Sequence, residues 1–243
     1  MPLATVVLAT VSAYSTSLGI SIAPAIAERF CEGKLRDGTL QGKYSCQFPS
    51  GNRYEGEFQK GMRQGRGIFI YADGTRCEGI FRNHALQGNG KCNFPNGNRY
   101  EGEFRDNVRQ GRGSFTYADG TRCEGNFQND ALNGFGICLF ASGNRYEGTF
   151  ENNVRQGQGS FIYANGTRCE GVFQRGAIAR VGVCQLPNGD QYQGEFRNNQ
   201  WHGRGLYTFQ NGNQVQGIWR NGQFLRGTFN RRSPDRPVLA PMR

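Results

Sequence analysis

A period of 23 residues runs through the chain, and no other feature narrows the choice of fold so far. Its clearest copy is Gly97–Asp119, GNRYEGEFRDNVRQGRGSFTYAD. Copies start at Gly51, Gly74, Gly97, Gly120, Gly143, Gly166, Gly189 and Gly212, with a looser one from about Glu28. A unit this short buries little surface alone and must stack on its neighbours.

Each unit reads as a β-hairpin. In Gly97–Asp119 the first strand is predicted over about Asn98–Phe104 and the second over about Gly111–Tyr117, with Asp106–Gln110 forming most of the loop. Alternate residues of a strand share a face. Tyr100, Gly102 and Phe104 therefore point one way, opposite Gly111, Gly113, Phe115 and Tyr117. Arg99, Glu101, Glu103, Arg112 and Ser114 point the other way. Ala118-Asp119-Gly120 turns into the next unit, with glycine free to take a left-handed conformation. Parity through that turn sets Phe115 against Tyr100 in its own hairpin and against Cys123 in the next. The expected fold is all-β: an elongated, single-layer antiparallel meander of 23-residue β-hairpins.

Glycine recurs at the centre of every first strand, from Gly33 and Gly56 to Gly194 and Gly217. Glycine weakens a strand unless something lies against the bare backbone. The expectation is a ring from a neighbouring hairpin, supplied by Phe58, Phe81, Phe104, Phe127, Phe150, Phe173, Phe196 and Trp219, with Leu35 in the first unit. A lone sheet has no second layer, so rings packed on glycines would stand in for one.

Y-E-G-E-F, followed by a loop and G-x-G, resembles the membrane occupation and recognition nexus (MORN) repeat. The resemblance spans about Glu28–Asn230. It implies a scaffold, a lipid-binding module or an accessory domain of an enzyme. Trp201-His202-Gly203 begins the copy most similar to the H-G-x-G of many such repeats.

The eight cysteines are Cys31, Cys46, Cys77, Cys92, Cys123, Cys138, Cys169 and Cys184, with gaps alternating between 15 and 31. They occupy the places of Tyr100 and Phe115 in every second unit. The register then pairs Cys31 with Cys46, Cys77 with Cys92, Cys123 with Cys138 and Cys169 with Cys184 as disulfides. Buried free thiols are one alternative. A zinc site is another, against which stands the lack of any C-x-x-C.

Residues 1–27 are uncharged, fairly apolar and end Ala25-Ile26-Ala27, the pattern of a cleaved signal peptide, although Lys and Arg are absent from its start. Together with the cysteines this predicts a secreted or periplasmic protein. The alternative is an uncleaved N-terminal membrane anchor facing an oxidising compartment. Residues 28–230 form the array. Tyr44 replaces a glycine in the first unit, a candidate cap. The last unit has Val215 in the tyrosine place and no complete second strand in this reading, a cap at the other end. Arg231–Arg243, rich in proline and arginine, reads as a disordered basic tail.

Twenty-nine basic residues against nineteen acidic give a net charge of +10. Arg/Glu ladders such as Arg53, Glu55 and Glu57 balance on the outward face. The excess falls near the loops, where Arg63, Arg109 and Arg155 stack in a row along one edge; with Arg66, Arg112 and Arg204 they are the candidate anionic-surface residues. Met62, Val108 and Val154 accompany it, with Leu86, Leu132 and Ile178 nearby. Such a row suits anionic lipid or an acidic polymer. His84 and His202 are the only histidines and lie five units apart. No catalytic set, metal site, cofactor or small-molecule substrate is expected, and no nucleic-acid partner. The function expected is a non-enzymatic exported scaffold for protein–protein interaction or self-association. The alternative is a peripheral binder of anionic membrane surface through the arginine row.

Overall fold

A computed structural model describes residues 31–32 and 39–230. The signal-peptide reading of 1–27 and the tail reading of 231–243 lie outside the described residues, as do Gly33 and Leu35.

The described chain is eighteen β-strands in one open sheet, with no helix. They are β1 (Cys31–Glu32), β2 (Gly42–Gln47), β3 (Arg53–Gln59), β4 (Met62–Ile70), β5 (Arg76–Arg82) and β6 (Ala85–Asn93). Next come β7 (Arg99–Arg105), β8 (Val108–Thr116), β9 (Arg122–Gln128), β10 (Ala131–Leu139), β11 (Arg145–Glu151) and β12 (Val154–Ile162). The last six are β13 (Arg168–Gln174), β14 (Ala177–Gln185), β15 (Gln191–Arg197), β16 (Gln200–Thr208), β17 (Gln214–Arg220) and β18 (Gln223–Asn230). Each pairs antiparallel with the next in sequence, so the sheet is a pure meander. Tyr100 faces Phe115, and Phe115 faces Cys123, the register that parity requires.

Two local details differ from the expectation. The hairpin loop shrinks to two residues, because the second strand starts at Val108 rather than near Gly111. Asp106 and Asn107 both take left-handed φ, 52° and 68°. Asn129-Asp130, Asn152-Asn153 and Asn198-Asn199 repeat this, and it is the backbone of a type I′ turn. The ladder absorbs the extra residues as a bulge, here between Gly102 and Phe104. The last unit also has a full second strand, the eight-residue β18, held by Gly217–Gly227 and Trp219–Phe224 pairing.

The central glycines form one continuous cross-strand row, Gly56–Gly67–Gly79–Gly90–Gly102–Gly113 and onward to Gly217–Gly227. What covers them is not mainly phenylalanine. Tyr100 lies over Gly102 and Gly113 of its own hairpin, and Tyr54, Tyr146 and Tyr192 do the same in theirs. In cysteine hairpins Leu86 and Leu132 lie on Gly79 and Gly125. The expected neighbour ring does reach the second glycine there: Phe104 on Gly90, Phe150 on Gly136 and Phe196 on Gly182. Tyrosine wins the first place because its phenol spans both glycines and donates to a backbone carbonyl. Tyr100 Oη gives its proton to Glu103 O at 3.1 Å, and Tyr54, Tyr146 and Tyr192 repeat the bond.

Candidate functional site

Two faces and two edges are available to a partner, and the packing of the ring face decides which remain open. Tyr54, Tyr100, Tyr146 and Tyr192 are fully buried there. Tyr100 meets Phe104 and Phe127 edge-on at 5.1 and 5.0 Å between centroids, so rings of adjacent hairpins interlock. Four disulfides lie on the same face: Cys31–Cys46, Cys77–Cys92, Cys123–Cys138 and Cys169–Cys184. Each joins residues that sit directly opposite each other across one hairpin. No free cysteine occurs among the described residues. Intrachain bridges of this number fit an oxidising compartment.

The loop arginines join this face. Arg63, Arg109 and Arg155 stand opposite Phe58, Phe104 and Phe150. The next hairpin's turn fixes their backbone: Asp130 N donates to Arg109 O at 3.2 Å, and Arg109 N donates to Asp130 Oδ1 at 3.0 Å. Their side chains fold back over the rings. Arg63 lies 4.6 Å from the Phe69 centroid, and Arg109 and Arg155 lie 5.1 Å from those of Phe115 and Phe161. Such contacts contribute about 0.5–2 kcal/mol each. Arg109 also pairs with Asp130 at 2.9 Å. Burial pulls the Arg63 and Arg155 guanidinium groups below their ordinary pKa, partly offset by nearby tyrosines. In the last tyrosine hairpin Trp201 takes the arginine place and stacks on Tyr192, 4.4 Å away and nearly parallel.

The six candidate arginines fall on both faces of the sheet. Arg63, Arg109 and Arg155 cap the ring core, while Arg66, Arg112 and Arg204 are exposed on the opposite face, beside Ile80, Asn126 and Ile218. Leu86, Leu132 and Ile178, expected beside the arginines, are buried core residues. The reason is geometric. The tight turn starts the second strand about three residues earlier than expected, so these positions fall inside it, where their parity points them inward.

The outward face carries the expected ladders as ion pairs within single strands: Arg53–Glu55, Arg76–Glu78, Arg122–Glu124, Arg145–Glu147 and Arg168–Glu170. All are solvent-exposed to a degree that leaves each worth about 0–1 kcal/mol. At the first hairpins Arg53, Glu55, Glu57, Arg66 and Glu78 border an open groove of about 940 Å³ over the glycine row. His84 accepts from Arg63 N at 3.4 Å, and burial followed by the Arg63 charge lowers its pKa. His202 lies on β16, ten strands from the β5–β6 turn that holds His84. Among the described residues no group of His, Cys, Asp and Glu is arranged to hold a metal ion. No described helix is long and apolar enough to cross a membrane.

One buried polar pair departs from the repeat pattern. Tyr207 Oη donates to Asp190 Oδ2 at 2.5 Å, and Gln210 N donates to Asp190 Oδ1 at 2.8 Å. The signal was a double departure: Asp190 where sister units have Asn52, Asn98 and Asn144, and Tyr207 where they have phenylalanine. Burial, followed by this bond, raises the Tyr207 pKa.

Burial also raises Tyr54 and Tyr100 from 10.0 to about 12. A phenol whose folded pKa exceeds its unfolded value stabilises the fold fully below pH 10 and loses that contribution as pH rises towards 12. Urea midpoints are expected to hold up to about pH 9 and fall between about pH 10 and 12, in step with tyrosinate absorbance. A midpoint independent of pH across that window would contradict the burial of these phenols.

Two solved structures are similar to this chain at low identity. The TCP10 domain of Danio rerio CPAP, solved as a mutant, is 16% identical, with 82% of this chain and 92% of that chain covered and a TM-score of 0.46. The TCP domain of Drosophila melanogaster SAS-4, solved with a proline-rich motif of Ana2, is 14% identical, covering 78% and 90% of the two chains at a TM-score of 0.37. No curated protein matches the sequence. The MORN repeat model matches seven consecutive segments, 54–76, 77–99, 100–122, 123–145, 146–168, 169–191 and 192–214. With most of its length accounted for by those segments, the chain belongs to the MORN repeat family.

Proposed function

We propose that the chain is an exported, non-enzymatic scaffold that presents its outward sheet face to a protein partner or to a second copy. The carrying observation is the closure of the ring face. The four tyrosines are fully buried there, and arginine or tryptophan caps them, so that face serves stability. What stays accessible is a long charged sheet surface, regular in spacing and stiffened by four bridges. Export rests on the bridges and on the A-x-A sequence before Glu28. An intact mass of secreted protein without reductant is expected to correspond to a chain starting at Glu28 with eight hydrogens missing. Recovery of the full-length chain with free thiols would count against export.

The lipid-binding alternative has less support, because three of its six arginines spend one side on aromatic rings. Flotation with vesicles containing anionic phospholipid is expected to leave the protein at the bottom of the gradient at moderate salt. Salt-sensitive flotation that disappears on Arg66, Arg112 and Arg204→Ala would favour the alternative instead.

A further inference from the structure

The cover of the glycine row is incomplete at the C-terminal end of the sheet. In the cysteine hairpins the second glycine receives a phenylalanine from the next hairpin: Phe104 on Gly90, Phe150 on Gly136 and Phe196 on Gly182. The last hairpin, β17–β18, has the same layout, with Val215 and Phe229 in the cysteine places and Gly217 opposite Gly227. Phe224 lies on Gly217. The atoms nearest to a methyl on Gly227 are all backbone, from Gln216 and Gly217. Gly136 and Gly182 are buried, whereas Gly227 is exposed. Beside it Leu225 and Phe229 are 50% and 39% exposed. Among the described strands β18 pairs with β17 alone. An open edge of this kind is ordinarily guarded by charges or proline. β18 carries one charge, Arg226, and no proline.

We infer that β18 is a self-pairing edge, where two copies of the chain join antiparallel into one continuous sheet about a twofold axis at Gly227. The inference goes beyond the scaffold reading and leaves the outward face free. Its argument is the place of the missing ring. In the array Phe104 reaches Gly90 from opposite Gly88, two residues before that glycine. A twofold axis at Gly227 sets this glycine against its counterpart. Phe229 of the second copy then stands opposite Leu225, again two residues before the glycine. Each Phe229 thus takes, on Gly227 of the other copy, the position that Phe104 takes on Gly90. It lies on the correct side of the sheet, opposite the buried Val215 and 6.3 Å from Phe209 between centroids. The axis runs through the sheet, so the two ring faces lie on one side and merge. The residue on the axis is a glycine, and no charge is forced against its own copy. Arg226 stands opposite Thr228 of the second copy. The two Arg226 are offset by two residues along the ladder and are exposed to solvent. Two other occupants bring no such ring. The chain's own tail carries Pro234, Pro237 and Pro241, which cannot supply a ladder. The first strand of another copy has Leu35 in the ring place. One added ladder is a small contact, so the dimer is weak, with a Kd of roughly ten to a hundred micromolar at salt that screens the basic ends.

Sedimentation velocity of the oxidised protein at moderate salt, over a concentration series, tests this. The expected result is a reversible monomer–dimer equilibrium that stops at the dimer. Leu225→Lys sets an ammonium group against Phe229 of the second copy and is expected to weaken the dimer by at least about tenfold. Leu225 is half exposed, so the urea midpoint of the variant is expected to match that of the parent and to show that folding is retained. Cross-linking in air reads the register. Arg226→Cys mixed with Thr228→Cys is expected to give more disulfide-linked dimer than either variant alone. A monomer at about a millimolar, or a dimer undiminished by Leu225→Lys, overturns the inference. Growth past the dimer, as head-to-tail contact of β18 with a first strand would give, also overturns it. Equal cross-linking in the mixed and unmixed samples does the same. Each of these failures leaves the scaffold reading in place, since that reading concerns the outward face.

Discussion

Gly113→Ala is expected to destabilise the protein by about 3 kcal/mol or more, a larger loss than overpacking usually causes. A methyl there would meet Tyr100 Cε2 and Cζ at 2.6 Å, with the phenol oxygen closer still. Tyr100 cannot retreat, because its hydroxyl is bonded to Glu103 O and its ring is wedged between Phe104 and Phe127. The backbone at Gly113 is not left-handed, so the penalty is one of space alone. Gly120→Ala supplies the contrast. Its φ is +90°, yet nothing lies within 4 Å of an added methyl, and only backbone strain of about 1–2 kcal/mol is expected. Urea unfolding of both variants and of Tyr100→Ala with and without Gly113→Ala settles the matter. Once the ring is gone, the added methyl is expected to cost little. Equal losses at Gly113 and Gly120 would mean that the tyrosine does not rest on the glycine row.

Removing the central bridge, Cys123→Ala with Cys138→Ala, is expected to cost about 2–4 kcal/mol and to change the shape of the melt. The bridge closes a loop of sequence separation 15 in β9 and β10, in the middle of the sheet. In a meander each hairpin touches only its neighbours, so cooperativity passes through every hairpin in turn. Weakening the middle one separates β1–β8 from β11–β18, and a second transition should appear by calorimetry. Removing Cys31 and Cys46 loosens only the end strand, and a single transition at a slightly lower temperature is expected. Full reduction acts on all four cysteine hairpins at once and should unfold the array near room temperature or lower its midpoint by tens of degrees. One undivided transition in the central variant would show that the array does not couple hairpin by hairpin.

Much of the architecture was legible because it is set by short-range parity. A residue two places along a strand returns to the same face, so a 15-residue spacing across a hairpin suffices to pair Cys77 with Cys92 and Tyr100 with Phe115. The two-residue turn was legible too, in Asn129-Asp130 and Asn152-Asn153. The apolar pattern alone implies a longer loop, because the bulge that accompanies the turn leaves no mark in it. That shift misplaced Arg63, Arg109 and Arg155 onto an edge. It also made Leu86, Leu132 and Ile178 look like loop companions when they are core.

The amino-acid order alone determined the period, the single antiparallel sheet, the partners of the cysteines and the side of the sheet on which each ring falls. All of these depend on residues within one or two hairpins of each other. Only the folded sheet decided which side chain covers which glycine, that the arginines bend back over rings, and that Gly227 goes without the ring its sister glycines receive. Those outcomes depend on side-chain reach across strands and on what a whole face leaves exposed, and neither quantity is written in the spacing of residues along the chain.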